Sequence, residues 1–115
     1  MTDMIVVYVT CPSPEEAERI GTTLLEKRLC ACINIYPEIR SKYYWPPNEN
    51  VFEEAKETVL LIKSTRSKYK QLEKEICKIH SSTTPCIFAY PVVAGLPSYL
   101  DWIVGETTIK PASKP

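Results

Sequence analysis

Two stretches of the chain repeat one order of patterns, and that repetition limits the fold more than any other feature. Residues 5–35 and 59–89 each run from an apolar stretch, through a short turn containing Ser or Thr, into a helical periodicity and then a second strand-like stretch. In the first unit, IVVYVT (5–10) reads as a buried strand bounded by Cys11 and Pro12. The helix that follows has clear start signals. Ser13 suits the N-cap, Pro14 the first helical position, and Glu16 lies three residues on to complete a capping box. Ala17, Ile20, Gly21, Leu24, Leu25 and Arg28 follow the i, i+3, i+4 rhythm of one buried face. Glu15 and Arg19 are spaced to pair on the other.

The units are joined by two long strand patterns, 32–45 and 51–64, around the turn PPNEN (46–50). This is a hairpin. Pro37 inside its first arm predicts an edge strand or a bulge, because proline cannot donate to the ladder. The outer half carries Tyr43, Tyr44, Trp45, Val51 and Phe52, far from any helix of the same chain. That apolar area predicts a partner subunit. The second unit continues with a helix over 67–80, whose apolar face is Tyr69, Leu72, Ile76 and Ile79. A loop (81–85) and a strand (86–94) holding Pro91 follow, then a short helix (97–104). Two split βαβ units form an α+β, ferredoxin-like βαββαβ plait: a four-stranded antiparallel sheet, both helices on one face, the first and third strands inside. The reading is a single domain over 1–105 with a loose tail over 106–115.

Composition excludes several function classes. A chain of 115 residues makes one domain. Lys plus Arg and Asp plus Glu are 14 each, so the formal charge is zero and no basic stripe exists for nucleic acid or an anionic membrane. No run approaches the roughly 20 apolar residues of a membrane span. The start has no basic region before an apolar core of signal-peptide length. The expectation is a cytoplasmic protein. Five cysteines, an odd and irregularly spaced set, fit that setting and argue against a disulfide framework. With three glycines and no GxGxxG, P-loop or GxSxG pattern, no phosphate-cradling or hydrolase motif is present.

A few residues could carry chemistry. Cys30 and Cys32, if both lie in a strand, share one face and could hold a soft metal. They could equally be two packed small apolar residues, since a metal site normally needs three or four ligands. His80, the one histidine, follows the second helix and is either a ligand, a proton donor or a helix-terminal cap. Lys63, late in LLIKS, either snorkels at a strand end or lines a pocket for an anion. Lys42 to Trp45 could stack on a planar ligand or form a subunit contact. Cys11 before a helix start is a turn residue or a reactive thiolate.

The stretches VTCPSPEEAERI, LLEKRLCACINIYPEIRSKYYW, LLIKS and AYPVVAGLPSYLDWI together resemble the CutA family of divalent-cation tolerance proteins, in order from about residue 5 to 104. The resemblance implies the ferredoxin-like fold and a tight homotrimer in which the hairpin reaches across to neighbouring subunits. It also implies clefts between subunits like those of PII signalling proteins, no enzymatic reaction, and a role in tolerance to copper or another divalent metal. Carried over position by position, Cys32 matches the family's cysteine, Lys63 its strand lysine, and Tyr44 and Trp45 its aromatic pair. Tyr99 and Trp102 match its C-terminal signature, and His80 the histidine that closes the second helix. Relatives then continue with a Tyr and a Glu where this chain has Ser82 and Cys86. A softer pocket containing Cys86 follows from that departure. The expected metal ligands are therefore Cys32, His80 and Cys86, and the expected ligand pocket is Lys63, Tyr44, Trp45, Tyr99 and Trp102. The competing readings are a sensor of a small anionic metabolite, or a structural trimer without a metal role.

Overall fold

A computed structural model describes residues 1–112. Four strands and three helices follow the expected order: β1 (Met4–Cys11), α1 (Pro14–Glu26), β2 (Cys32–Tyr44), β3 (Phe52–Thr65), a 3-10 turn (Arg66–Lys68), α2 (Tyr69–Ile79), β4 (Ile87–Pro91) and α3 (Pro97–Thr108). The sheet is antiparallel throughout, in the order β2-β3-β1-β4. This is the ferredoxin-like plait, with β1 and β3 inside. Both strand prolines lie on edges. Pro91 is the last residue of β4, and Pro37 falls where the β2–β3 register shifts between Tyr36 and Ile39. The Pro37 carbonyl accepts a hydrogen bond from Thr58 Oγ1 at 2.8 Å.

Alternation along β1 divides the sheet into two faces. Ile5, Val7, Val9 and Cys11 point into one core with Leu60 and Ile62 of β3, Ala17, Ile20 and Leu24 of α1, and Leu72 and Ile76 of α2. Gly21 lets α1 sit close to β2, since a Cβ there would stand 2.3 Å from Ile33 Cδ1. On the opposite face, Val6, Tyr8 and Thr10 are only half-buried. We call these the covered face and the bare face.

Several boundaries differ from expectation for local reasons. α1 stops at Glu26, and Arg28 leaves the helical face at φ 59°. The Leu29 N–H bonds the Leu24 carbonyl and the Arg28 N–H the Leu25 carbonyl, which is a Schellman cap with arginine in the place glycine usually takes. The Arg28 guanidinium reaches Glu106 of α3 at 2.9 Å. Half of the capping box forms: Ser13 Oγ accepts from the Glu16 N–H. The Glu16 carboxylate turns away to a tertiary contact, and Arg19 lies 3.9 Å from Glu16 rather than pairing with Glu15. α3 continues past 104 because Thr107 is buried and caps its own helix by donating to the Ile103 carbonyl. Residues 106–108 are therefore helix, not tail. Of the remaining expected tail, residues 113–115 lie outside the described residues.

Candidate functional site

The candidate residues divide into two groups on different parts of the sheet. On the bare face, ladder register aligns Cys32, Lys63, Val6 and Tyr90 in one row across all four strands. Tyr99 of α3 lies above this row, its ring centroid 5.7 Å from Lys63 Nζ, and packs against Trp102 at 5.8 Å between centroids. The ring and cation attract, by about 0.5–1 kcal/mol at an exposed site. Among the described residues Lys63 has no carboxylate partner. The row thus offers one uncompensated cation, one half-exposed thiol and three aromatic rings.

The two thiols of the CAC stretch do not act together. Cys30 lies before β2, 2% exposed and within the core cluster, and burial pushes its thiol up to about 12. Cys32 is on the bare face beside Lys63. Cys30 is a packed residue, and only Cys32 stays accessible to a ligand.

The second group surrounds a cleft of about 630 Å³ between the hairpin and the 80–86 loop. Tyr8, Tyr43, Trp45, Glu57, His80 and Cys86 are among its lining. Tyr8 stacks on Phe88 at 5.0 Å, and its phenol is pushed up by burial first and then by Cys86, Tyr90 and Glu57. The structure so brings together Trp45, His80 and Cys86 of the expected set, and separately Cys32, Lys63, Tyr99 and Trp102. Tyr44 belongs to neither group. Its ring meets the edge of Phe52 on the hairpin and is 70% exposed.

His80 does not face Cys32. Its Nε2 lies 2.7 Å from the Thr10 carbonyl, which can only accept, so Nε2 carries the proton. Its Nδ1 lies 3.0 Å from the Ser82 N–H, which can only donate, so Nδ1 presents its lone pair. Nδ1 also lies 3.6 Å from Glu16 Oε2, and that oxygen accepts from both the N–H and the hydroxyl of Ser81. Cys11 completes the cluster. Ligand atoms of Cys11, Glu16 and His80 lie within 4.8 Å of one another, the one such trio among the described residues.

This cluster was not legible beforehand. Sequence leaves Cys11 as a turn residue or a reactive thiolate and gives Glu16 only a capping role. Burial raises the Cys11 thiol to about 12, helped by the negative charges of Glu16 and Glu57. That outweighs the lowering expected beside a helix start and leaves no reactive thiolate at neutral pH. The available signal was periodicity: Cys11 continues the alternation of Val7 and Val9, and Glu16 lies four residues before Ile20.

The comparisons with known proteins agree over nearly the whole chain. The family model described as CutA1 divalent ion tolerance protein matches residues 5–106. The divalent-cation tolerance protein CutA of Archaeoglobus fulgidus is 46% identical over 97 residues, 84% of this chain and 91% of that protein. The Thermotoga maritima protein of the same name is 43% identical over 100 residues, 87% of this chain and 95% of that one. A solved structure described as the periplasmic divalent cation tolerance protein CutA from A. fulgidus superposes with a TM-score of 0.85 at 42% identity, covering 90% of this chain and 98% of that chain.

Proposed function

Because the chain belongs to the CutA1 divalent ion tolerance family, we propose that it is a homotrimeric binding protein that takes a divalent metal ion, copper among them, at clefts between subunits. It serves metal tolerance by binding, without catalysis. The observation that carries this reading is the apolar surface that one chain leaves uncovered around its thiols. Trp45, Phe52, Phe88, Tyr90 and Trp102 are each at least 40% exposed. A set of that size on the hairpin and the bare face favours burial against further copies. Among the described residues neither Cys32 nor Cys86 belongs to a group of three ligand atoms, which favours donors from a neighbouring chain for a metal held by either. A cytoplasmic setting is part of the same proposal, supported by five free cysteines. No helix among the described residues is long and apolar enough to cross a membrane.

The test is equilibrium binding of Cu(I), Cu(II) and Zn(II) to the reduced protein, beside Cys32→Ala and Cys86→Ala. Tight uptake that falls in either variant and needs the associated state supports the proposal. Uptake unaffected by both substitutions removes the intersubunit thiol site.

Lys63 supports a second reading, a small anionic ligand on the bare face. An uncompensated ammonium held beneath Tyr99 is a recognition group for a carboxylate or phosphate. Should such a ligand be found, Lys63→Ala is expected to weaken it about tenfold or more, the loss of one charge-assisted contact. Undiminished affinity in that variant rejects this reading.

A further inference from the structure

We infer that the cleft between the hairpin and the 80–86 loop binds a linear aliphatic amine with an ammonium at each end, a diamine or longer polyamine. The site rests on the cleft reading above for its place, but it uses no thiol and no metal.

The β2–β3 ladder lays out the floor of the cleft. Tyr43 lies opposite Glu53, Ser41 opposite Ala55 and Ile39 opposite Glu57. Glu53, Ala55 and Glu57 alternate with Glu54 and Lys56, so they share one face of β3. Ser41 and Ala55 both line the cleft, and this small pair leaves a trough between the two glutamates. Four residues along a strand set the glutamate Cα atoms roughly 13 Å apart. That separation suits two ammonium groups joined by an apolar chain better than one small ion.

Charge gives the sign of the ligand. Among the described residues neither Glu53 nor Glu57 has an ion-pair partner. Lys56, the one lysine or arginine in the lining, is taken by Glu38 at 3.2 Å. The bonds at both ring nitrogens hold His80 neutral. The lining therefore carries two uncompensated carboxylates.

Each carboxylate also has aromatic company. Tyr43 and Trp45 line the cleft at the Glu53 end, toward the hairpin tip. At the other end Tyr8 is held by stacking on Phe88 at 5.0 Å. The charge of Glu57 is among the causes that push the Tyr8 phenol up, which puts this carboxylate near that ring. A carboxylate beside a ring favours an ammonium twice, by its charge and by the negative face of the ring. Glu53 is exposed and Glu57 half-buried, so the Glu57 end is the deeper. The volume of about 630 Å³ suits a small organic molecule, for which sites run about 300–1,000 Å³.

The experiment is calorimetric titration of the reduced full-length protein, in its native state of association, with octamethylenediamine. Octylamine has the same chain with one charge, and suberate has it with two negative ends. Cu(I), Cu(II) and Zn(II) are titrated into the same samples. The expected result is saturable uptake of one diamine per chain. Octylamine should bind at least about threefold more weakly, the worth of one exposed ion pair, and suberate not at all. Glu53→Gln should weaken the diamine about threefold, as an exposed contact, and Glu57→Gln about tenfold, as a half-buried one. Trp45→Leu should weaken it about threefold through the lost ring. Both glutamine variants preserve shape. Equal affinity for diamine and octylamine, or unchanged affinity when both glutamates are replaced, overturns the diamine site. No diamine uptake by a sample that takes up a metal overturns it and leaves the metal reading intact. Diamine uptake with the expected losses, by a sample that takes up none of the three ions, upholds it and removes the metal reading. No uptake of either removes both.

Discussion

The two faces of the sheet are built from the same apolar residue types and meet opposite fates. Along β1, Val7, Val9 and Cys11 are fully buried under α1 and α2, while Val6, Tyr8 and Thr10 between them are only half-buried. β4 continues the contrast: Phe88 and Tyr90 are exposed, and Ile87 packs against the core. The covered face has enough partners within one chain to specify the fold. The bare face has α3 and little else, yet carries the aromatic rings, Lys63 and Cys32. Residues buried inside the chain and residues left partly bare are separated here by a single residue step along each strand.

The sharpest way to break that comparison uses two adjacent leucines. Leu60 is fully buried on the covered face, whereas Leu61 faces the bare side and is half-buried. Leu60→Ala is expected to cost about 3 kcal/mol, within the usual range for a core cavity. Leu61→Ala should cost about 1 kcal/mol in a dilute single chain, in proportion to its smaller buried area. Denaturant melts of both variants check this. Equal losses would erase the distinction between faces.

Next in size is an effect on association rather than on folding. Phe52 is 63% exposed on the hairpin. Phe52→Lys should lower the solution mass toward that of one chain, while changing the single chain's own stability by no more than about 0.5 kcal/mol, as surface changes do. An unaltered assembled mass would remove the hairpin from the interface.

A smaller effect depends on pH. Glu75 accepts hydrogen bonds from Lys27 at 2.8 Å and from Lys78 at 3.2 Å, tying α2 to the end of α1 above the covered face. The Lys27 bond first and the Lys78 bond next hold its carboxyl below the ordinary value of 4.5. A depressed folded pKa contributes stability that is fully present above 4.5 and lost as pH falls through the lower folded value. Glu75→Gln should therefore flatten part of the acid limb of the stability curve and leave its slope near neutrality unchanged. A variant with the same acid limb as wild type would contradict the assignment.

The smallest effect is at Arg28. Its left-handed backbone costs about 1 kcal/mol for a non-glycine residue, while its half-exposed pair with Glu106 contributes about 0–1 kcal/mol. Arg28→Gly should be near neutral by thermal melt. A loss above about 2 kcal/mol would mean that the tie between α1 and α3 is stronger than exposed pairs usually are.

Much of the fold was legible because local signals agreed with topology. Ser13 and Pro14 start α1, Pro37 and Pro91 sit on edges, and the strand–helix–strand echo sets the order. Boundaries moved where a tertiary contact decided them, as when buried Thr107 carries α3 past residue 104. The candidate site was only partly legible. Matching strand positions put Cys32 and Lys63 in one row, a consequence of hairpin register. Within one chain His80 does not meet Cys32; its partners Cys11 and Glu16 lie 69 and 64 residues away in sequence and meet it only through the fold. The capping-box spacing of Glu16 pointed elsewhere, because a carboxylate at that position can bond locally or across the core, and sequence spacing does not say which.

The most direct test of the account is the mass of the wild-type protein in solution by light scattering at low micromolar concentration. The reading of the bare face and hairpin as subunit contacts requires about three times the 13.1 kDa of one chain. A stable 13.1 kDa particle under the same conditions would contradict it. The exposed rings, Cys32 and Cys86 would then belong to a surface of a monomer rather than to clefts between subunits.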